Sequence, residues 1–124
     1  MGANVGPSAS RLKGGRREGE DVPIRVLTLS PQALREEPRG ALVGEVARCL
    51  DAGEGLVLDL CDIDALDGAG LAMLLHMRQL ARDRHLPLKL CAPKRAVRLL
   101  LLSVRFHRLF GIYNDPGEAR ASFR

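Results

Sequence analysis

The sequence predicts one small α/β domain, and three observations carry the prediction. Short apolar runs with strand character alternate with longer stretches of helical period. The chain of 124 residues suits a single core, and 46% hydrophobic residues suffice to build it. Aromatic residues make up only 3%, so Leu, Val and Ala must fill that core.

Residues 1–21, "MGANVGPSASRLKGGRREGED", have no hydrophobic period and are rich in Gly, Ser and charge, so they read as a disordered tail. "VPIRVLTL" (22–29) alternates Ile24, Val26 and two leucines with polar residues, which is a strand, ended by Ser30-Pro31. "REEPRG" is a turn-like connection with Pro38 at a helix entrance. "ALVGEVARCLDAG" (41–53) spaces Leu42, Val43, Val46, Ala47 and Leu50 as a helix that stops at Gly53.

"GLVLDL" (55–60) is a short apolar run bounded by turn signals, as in a central buried strand. "GLAMLLHMRQLARDR" (70–84) is the strongest helix, with Met73, Leu74, Met77, Leu80 and Ala81 on its core face. "PLKLC" (87–91) is a strand and "KRAVRLLLLS" (94–103) a helix with Pro93 at its entrance. "FHRLFGIYND" (106–115) is a turn followed by a short edge strand. The domain is therefore placed at residues 22–115, with a C-terminal tail at 116–124.

Several function classes are disfavoured at once. No apolar run approaches the ~20 residues of a membrane span. The start lacks the apolar segment of a secretion signal. Cys49, Cys61 and Cys91 stand apart in apolar surroundings without a CxxC, and are expected as reduced core residues of a cytoplasmic protein. The net charge of +4 hides an asymmetry: residues 18–67 hold twelve acids and four bases, residues 78–108 nine bases and one acid. That polarity could orient a charged partner. Direct nucleic-acid binding is poorly supported, because stacking aromatics are nearly absent from the basic half.

The chemistry concentrates in "DIDALDGAG" (62–70), three acids at a glycine-bearing connection between strand and helix. Such a stretch can hold a metal, cradle a phosphate, act as a switch or cap a helix. A calcium loop would want a ligand where Leu66 stands, and a closing glutamate. A phosphate loop would want GxxxxGK[ST] or GxGxxG, and "GAG" supplies neither. Cys61 as a nucleophile would need a base, yet His76, His85 and His107 are scattered without a supporting motif. No catalytic residue, metal ligand or cofactor is therefore assigned. Asp67 is expected as the N-cap of the following helix, Asp59 as a turn-bonding residue, and Asp62 and Asp64 as organisers of the connection.

The order of "LVLDL", "CDIDAL", Asp67, two small residues, Gly70-Leu71 and a long helix resembles the STAS domain family, typified by bacterial anti-sigma-factor antagonists. The downstream run "LPLKLC", Pro93, "VRLLLLS" and "FHRLFGIYND" extends the likeness across about residues 22–115. The resemblance implies a small mixed sheet with helices packed mainly on one face. It implies a non-enzymatic regulator that binds a protein partner, an anti-sigma factor that is itself a serine kinase. The partner-binding region is then Asp62, Asp64, Asp67, Gly68, Ala69 and Gly70, continued along the helix by Leu71, Leu75 and Arg78. Leu71 and Leu75 fall outside the core arc beside Arg78 and Arg82, where they are either covered by a loop or part of that interface.

In the family the Asp is followed by a Ser or Thr that the kinase phosphorylates. Here Gly68 and Ala69 follow, with no oxygen to modify. "TLSPQALREE" likewise stands where many members have Gly-x-Leu-Asp. The expected protein is thus an antagonist-like module without the usual phosphoswitch. The alternatives are a cytoplasmic accessory subunit of a transport assembly, or a small-ligand sensor.

Overall fold

The structure is a computed structural model and describes residues 22–35 and 40–123. The expected tail at 1–21 and the helix entrance at Pro38 lie outside the described residues. The elements are β1 (Ile24–Thr28), α1 (Pro31–Arg35), α2 (Gly40–Asp51), β2 (Gly55–Asp59), α3 (Gly68–Asp83), β3 (Leu88–Cys91), α4 (Arg95–Ser103), a 3₁₀ turn (Phe106–Arg108), β4 (Gly111–Tyr113) and α5 (Pro116–Ala121).

The four strands form one sheet in the order β1-β2-β3-β4. Val26 lies beside Val57, Leu58 beside Leu90, and Leu90 beside Ile112. Each crossover between these parallel neighbours carries helix, and steps in the same direction across the sheet. The common handedness of such crossovers therefore sends α1 to α4 to one face. Leu34, Val46, Leu74, Met77, Val97 and Leu101 pack there against Leu56, Leu58 and Leu90. The α/β class and the helical layer on one face agree with expectation. Strand direction departs from it: every described pairing is parallel, so the sheet they form is not mixed.

β2 is buried along its whole length, because both of its faces are covered. Leu56 and Leu58 meet the helical layer, whereas Val57 points to the other face, onto Ala119 of α5 and Cys91. Within the segment 116–124, which the sequence reads as a tail, residues 116–121 are a helix seated on the sheet. Asp115 caps α5, its Oδ1 accepting from the Glu118 N–H at 2.8 Å, and Pro116 opens the first turn. Lys89 Nζ donates to Ser122 Oγ at 2.7 Å and lies 4.1 Å from the centre of the Phe123 ring.

α1 has no counterpart among the elements the sequence predicts. Ser30 Oγ accepts from the Ala33 N–H at 3.0 Å, and Pro31 occupies the first helical position. The Ser30-Pro31 pair thus ends β1 and starts a helix in one step. The cysteines divide: all three are free, Cys91 is buried and Cys49 half-buried, but Cys61 is exposed, one residue past the last core position of the strand run.

Candidate functional site

The connection between β2 and α3 is built by its own acids. Asp59, 8% exposed at the end of β2, accepts the Cys61 N–H on Oδ1 at 2.9 Å and so turns the chain off the sheet. Leu60 stays in register by donating its N–H to the Cys91 carbonyl at 2.9 Å. Ile63, 1% exposed, pins the middle of the loop into the core. Asp64 forms an ion pair with Lys94 at the N-cap of α4, which ties this loop to the next one.

Asp67 then caps α3. Its backbone is extended (φ −107°, ψ −177°), and its Oδ1 accepts from the Gly70 N–H at 2.7 Å. Its carbonyl accepts the first helical bond, from the Leu71 N–H at 3.0 Å. The carboxylate satisfies a donor that the helix cannot satisfy itself, and its charge suits the positive end of the helix dipole.

The two glycines of the cap differ in kind. At Gly70 an added Cβ would lie 3.0 Å from Leu66 Cδ2 and 3.4 Å from Asp67 Oδ1, a tight fit to which Leu66 and the cap would have to yield by a few tenths of an ångström. At Gly68 an added Cβ would meet nothing within 4 Å, and φ is not positive. No steric or backbone constraint keeps a side chain from this exposed position.

Beside the cap lies an open cleft of about 220 Å³, between the start of α1 (Pro31, Leu34) and the loop residues Asp64 to Asp67. The short helix missed in the sequence supplies one wall of it. Asp62, Asp64, Asp67, Gly68 and Ala69 are all exposed at this end of the molecule. Gly70 is buried, and Leu71 is half-buried against the core, so both serve packing. Leu75 remains 39% exposed, one turn further along. Arg78 is ten residues from Gly68, about 15 Å at the helical rise. Its Nε donates to the Leu109 carbonyl at 3.0 Å, fastening α3 to the turn before β4.

The electrostatics do not suit nucleophilic chemistry at this loop. The Cys61 thiol is pushed up to about 11, chiefly by its hydrogen bond with Asp59, with burial and the Asp59 and Asp62 charges adding to it. It is a thiol, not a thiolate, near neutral pH. Lys94 is held above its ordinary value by its hydrogen bond to Asp64. Among the described residues no three His, Cys, Asp or Glu side chains are grouped to hold a metal ion. What the arrangement offers is a rigid, exposed loop and helix start beside a shallow cleft.

Comparison with known proteins agrees with this geometry. The family model described as "Mlab, STAS domain" matches residues 23–111. A Thermotoga maritima protein described as an anti-sigma factor antagonist has a similar crystal structure. That likeness has a TM-score of 0.67 and 22% identity, over 80% of this chain and 87% of that one. An anti-sigma-factor antagonist (STAS) domain protein from Planctomyces limnophilus is similar at a TM-score of 0.59 and 13% identity, over 87% of this chain and 94% of that one. No curated protein sequence shows a significant match.

Proposed function

The chain belongs to the STAS domain family, and on that premise we propose that it is a non-enzymatic regulator of the anti-sigma-factor-antagonist type that lacks the phosphoswitch. It binds a protein partner through the exposed loop at Asp62 and Asp64, the α3 cap at Asp67, Gly68 and Ala69, and the flank of α3 at Leu75. The observation that carries this reading is the contrast between the two glycines. Gly70 is closely packed against Leu66 and the cap, whereas Gly68 stands in open space that would admit serine. The hydroxyl is therefore absent from a position where the fold tolerates one, and the surface stays permanently competent to bind.

Ser30, the residue before Pro31 of the cleft wall, accepts the Ala33 N–H on its Oγ as the cap of α1. Incubation with the kinase partner and ATP, followed by intact-mass measurement, is expected to show no added phosphate. Gly68→Ser should restore modification, and modification should weaken the complex, because phosphate adds about −1.5 to −2 charges beside Asp67. Stoichiometric phosphorylation of the unaltered protein at Ser30 or Ser103, with loss of binding, would overturn the reading.

A second reading, an accessory subunit of a transport assembly, is favoured by the same glycine, since a permanently engaged subunit needs no hydroxyl. Affinity capture from cytoplasm separates the two. A kinase-like partner supports the first and a transport ATPase the second. In either case Leu75→Asp should reduce capture.

A further inference from the structure

We propose that the outer face of α4 and the turn that follows it form a second docking surface, which seats on anionic phospholipid membrane. α4 buries Val97 and Leu101 against the sheet, yet it carries a second apolar stripe facing solvent. Leu99 is 54% exposed, Leu102 43%, and Val104, just past the helix end, 41%. Leu99 and Leu102 are three residues apart and so neighbours on the helix surface. From Lys94 to Arg108 the chain holds five Lys and Arg residues and no acid. Of these, Arg95, Arg105 and Arg108 are exposed and make no ion pair among the described residues.

Arg105 sits at φ 63°, ψ 29°, in the left-handed region, where its N–H donates to the Leu102 carbonyl at 3.0 Å. Glycine is the favoured residue at that point of a helix end, and a side chain there is strained. His85, just past the end of α3, has the same left-handed backbone (φ 56°), so what marks Arg105 is its exposure directly after Val104, which sets its charge beside the apolar stripe.

The chemistry of the surface selects its occupant. A second copy of the same face would set arginine against arginine, which disfavours self-pairing. Aliphatic side chains without donors or acceptors, on a segment whose own charges are all positive and which meets an acid only where Lys94 pairs with Asp64, need no matching geometry from their partner. An anionic bilayer supplies what they need: an apolar layer beneath a negative, phosphate-bearing surface that guanidinium groups bind bidentately. α4 runs antiparallel to the strands, so its Leu102–Arg105 end lies at the edge of the sheet opposite the β2–α3 loop.

The test uses the full chain and sedimentation with vesicles of phosphatidylcholine, alone or mixed equally with phosphatidylglycerol. Each arginine near an anionic surface strengthens binding about fivefold, so the mixed vesicles should bind at least about tenfold more tightly. Raising the salt should erase most of that difference. Arg95→Glu with Arg105→Glu should remove the preference. Leu99→Ser with Leu102→Ser should weaken binding to the mixed vesicles about tenfold, with the melting temperature kept within a few degrees. Arg105→Gly gives a control for folding, since it should raise the melting temperature while weakening binding. Equal binding to both vesicles overturns the proposal, as does full binding by the leucine pair. Absence of vesicle binding, with an acidic polypeptide captured instead and lost in the same variants, would also overturn it and assign the face to a protein.

Discussion

The carboxylate of Asp67 and the backbone N–H of Gly70, 2.7 Å apart, form the joint on which the β2–α3 loop and its sixteen-residue helix are aligned. Asp67→Ala should cost about 1 kcal/mol (range about 0.5–2) and lower the melting temperature, because the first turn loses its acceptor. Asp67→Ser should recover most of that loss. A chemical melt of the three proteins checks the order.

The cap glycines should respond oppositely to substitution. Gly68→Ala should be neutral or stabilising by up to ~1 kcal/mol, as it fills open space and stiffens the unfolded chain. Gly70→Val should cost about 1–3 kcal/mol by crowding Leu66 and the cap. Equal effects at the two positions would contradict the distinction drawn between them.

Cys61 is exposed but electrostatically quiet. With its pKa at about 11, its thiolate fraction at pH 8 is about one in a thousand, so alkylation should run on the order of a hundredfold slower than for a free cysteine with a pKa near 8.5. The sign follows from the neighbour: the Asp59 carboxylate disfavours the thiolate, so Asp59→Asn should lower the pKa and accelerate the reaction. Peptide mapping after timed iodoacetamide treatment gives the rate at each cysteine.

α5 should contribute measurably to stability. Ala119, fully buried with Val57 and Cys91, offers no room or partner for a charge. Ala119→Glu should therefore cost more than about 2 kcal/mol, while Arg120→Ala, losing one exposed bond to the Ile24 carbonyl, should cost less than about 1 kcal/mol. A denaturant titration distinguishes the two.

The elements that could be read from sequence were those with a strong hydrophobic period. β2 and α3 fall within a few residues of expectation, and Met73, Leu74, Met77 and Ala81 are buried while Leu80 lies partly buried at the margin. α1 and α5 are five and six residues long, too short to show a period. Their start signals, Ser30-Pro31 and Asp115-Pro116, were present but ambiguous, since proline also ends strands. The sequence left Leu71 and Leu75 between core and interface; their separation depends on where neighbouring elements stop, which is a property of packing. The exposure of Cys61 has the same origin. The cleft beside the cap was illegible because one of its walls belongs to α1.

The order of strands in the sheet has a consequence for synthesis on the ribosome. Each strand pairs with the one made just before it, so the sheet can extend from one edge as the chain emerges, without waiting for a distant partner. The cover of the opposite face comes last. About sixty residues separate the end of β2 from the end of α5, several seconds of translation at ~5–20 residues per second. Over that interval Val57, and later Cys91, wait uncovered on a nascent sheet. A translation intermediate arrested before α5 should therefore recruit hydrophobic-surface chaperones more strongly than one arrested after it.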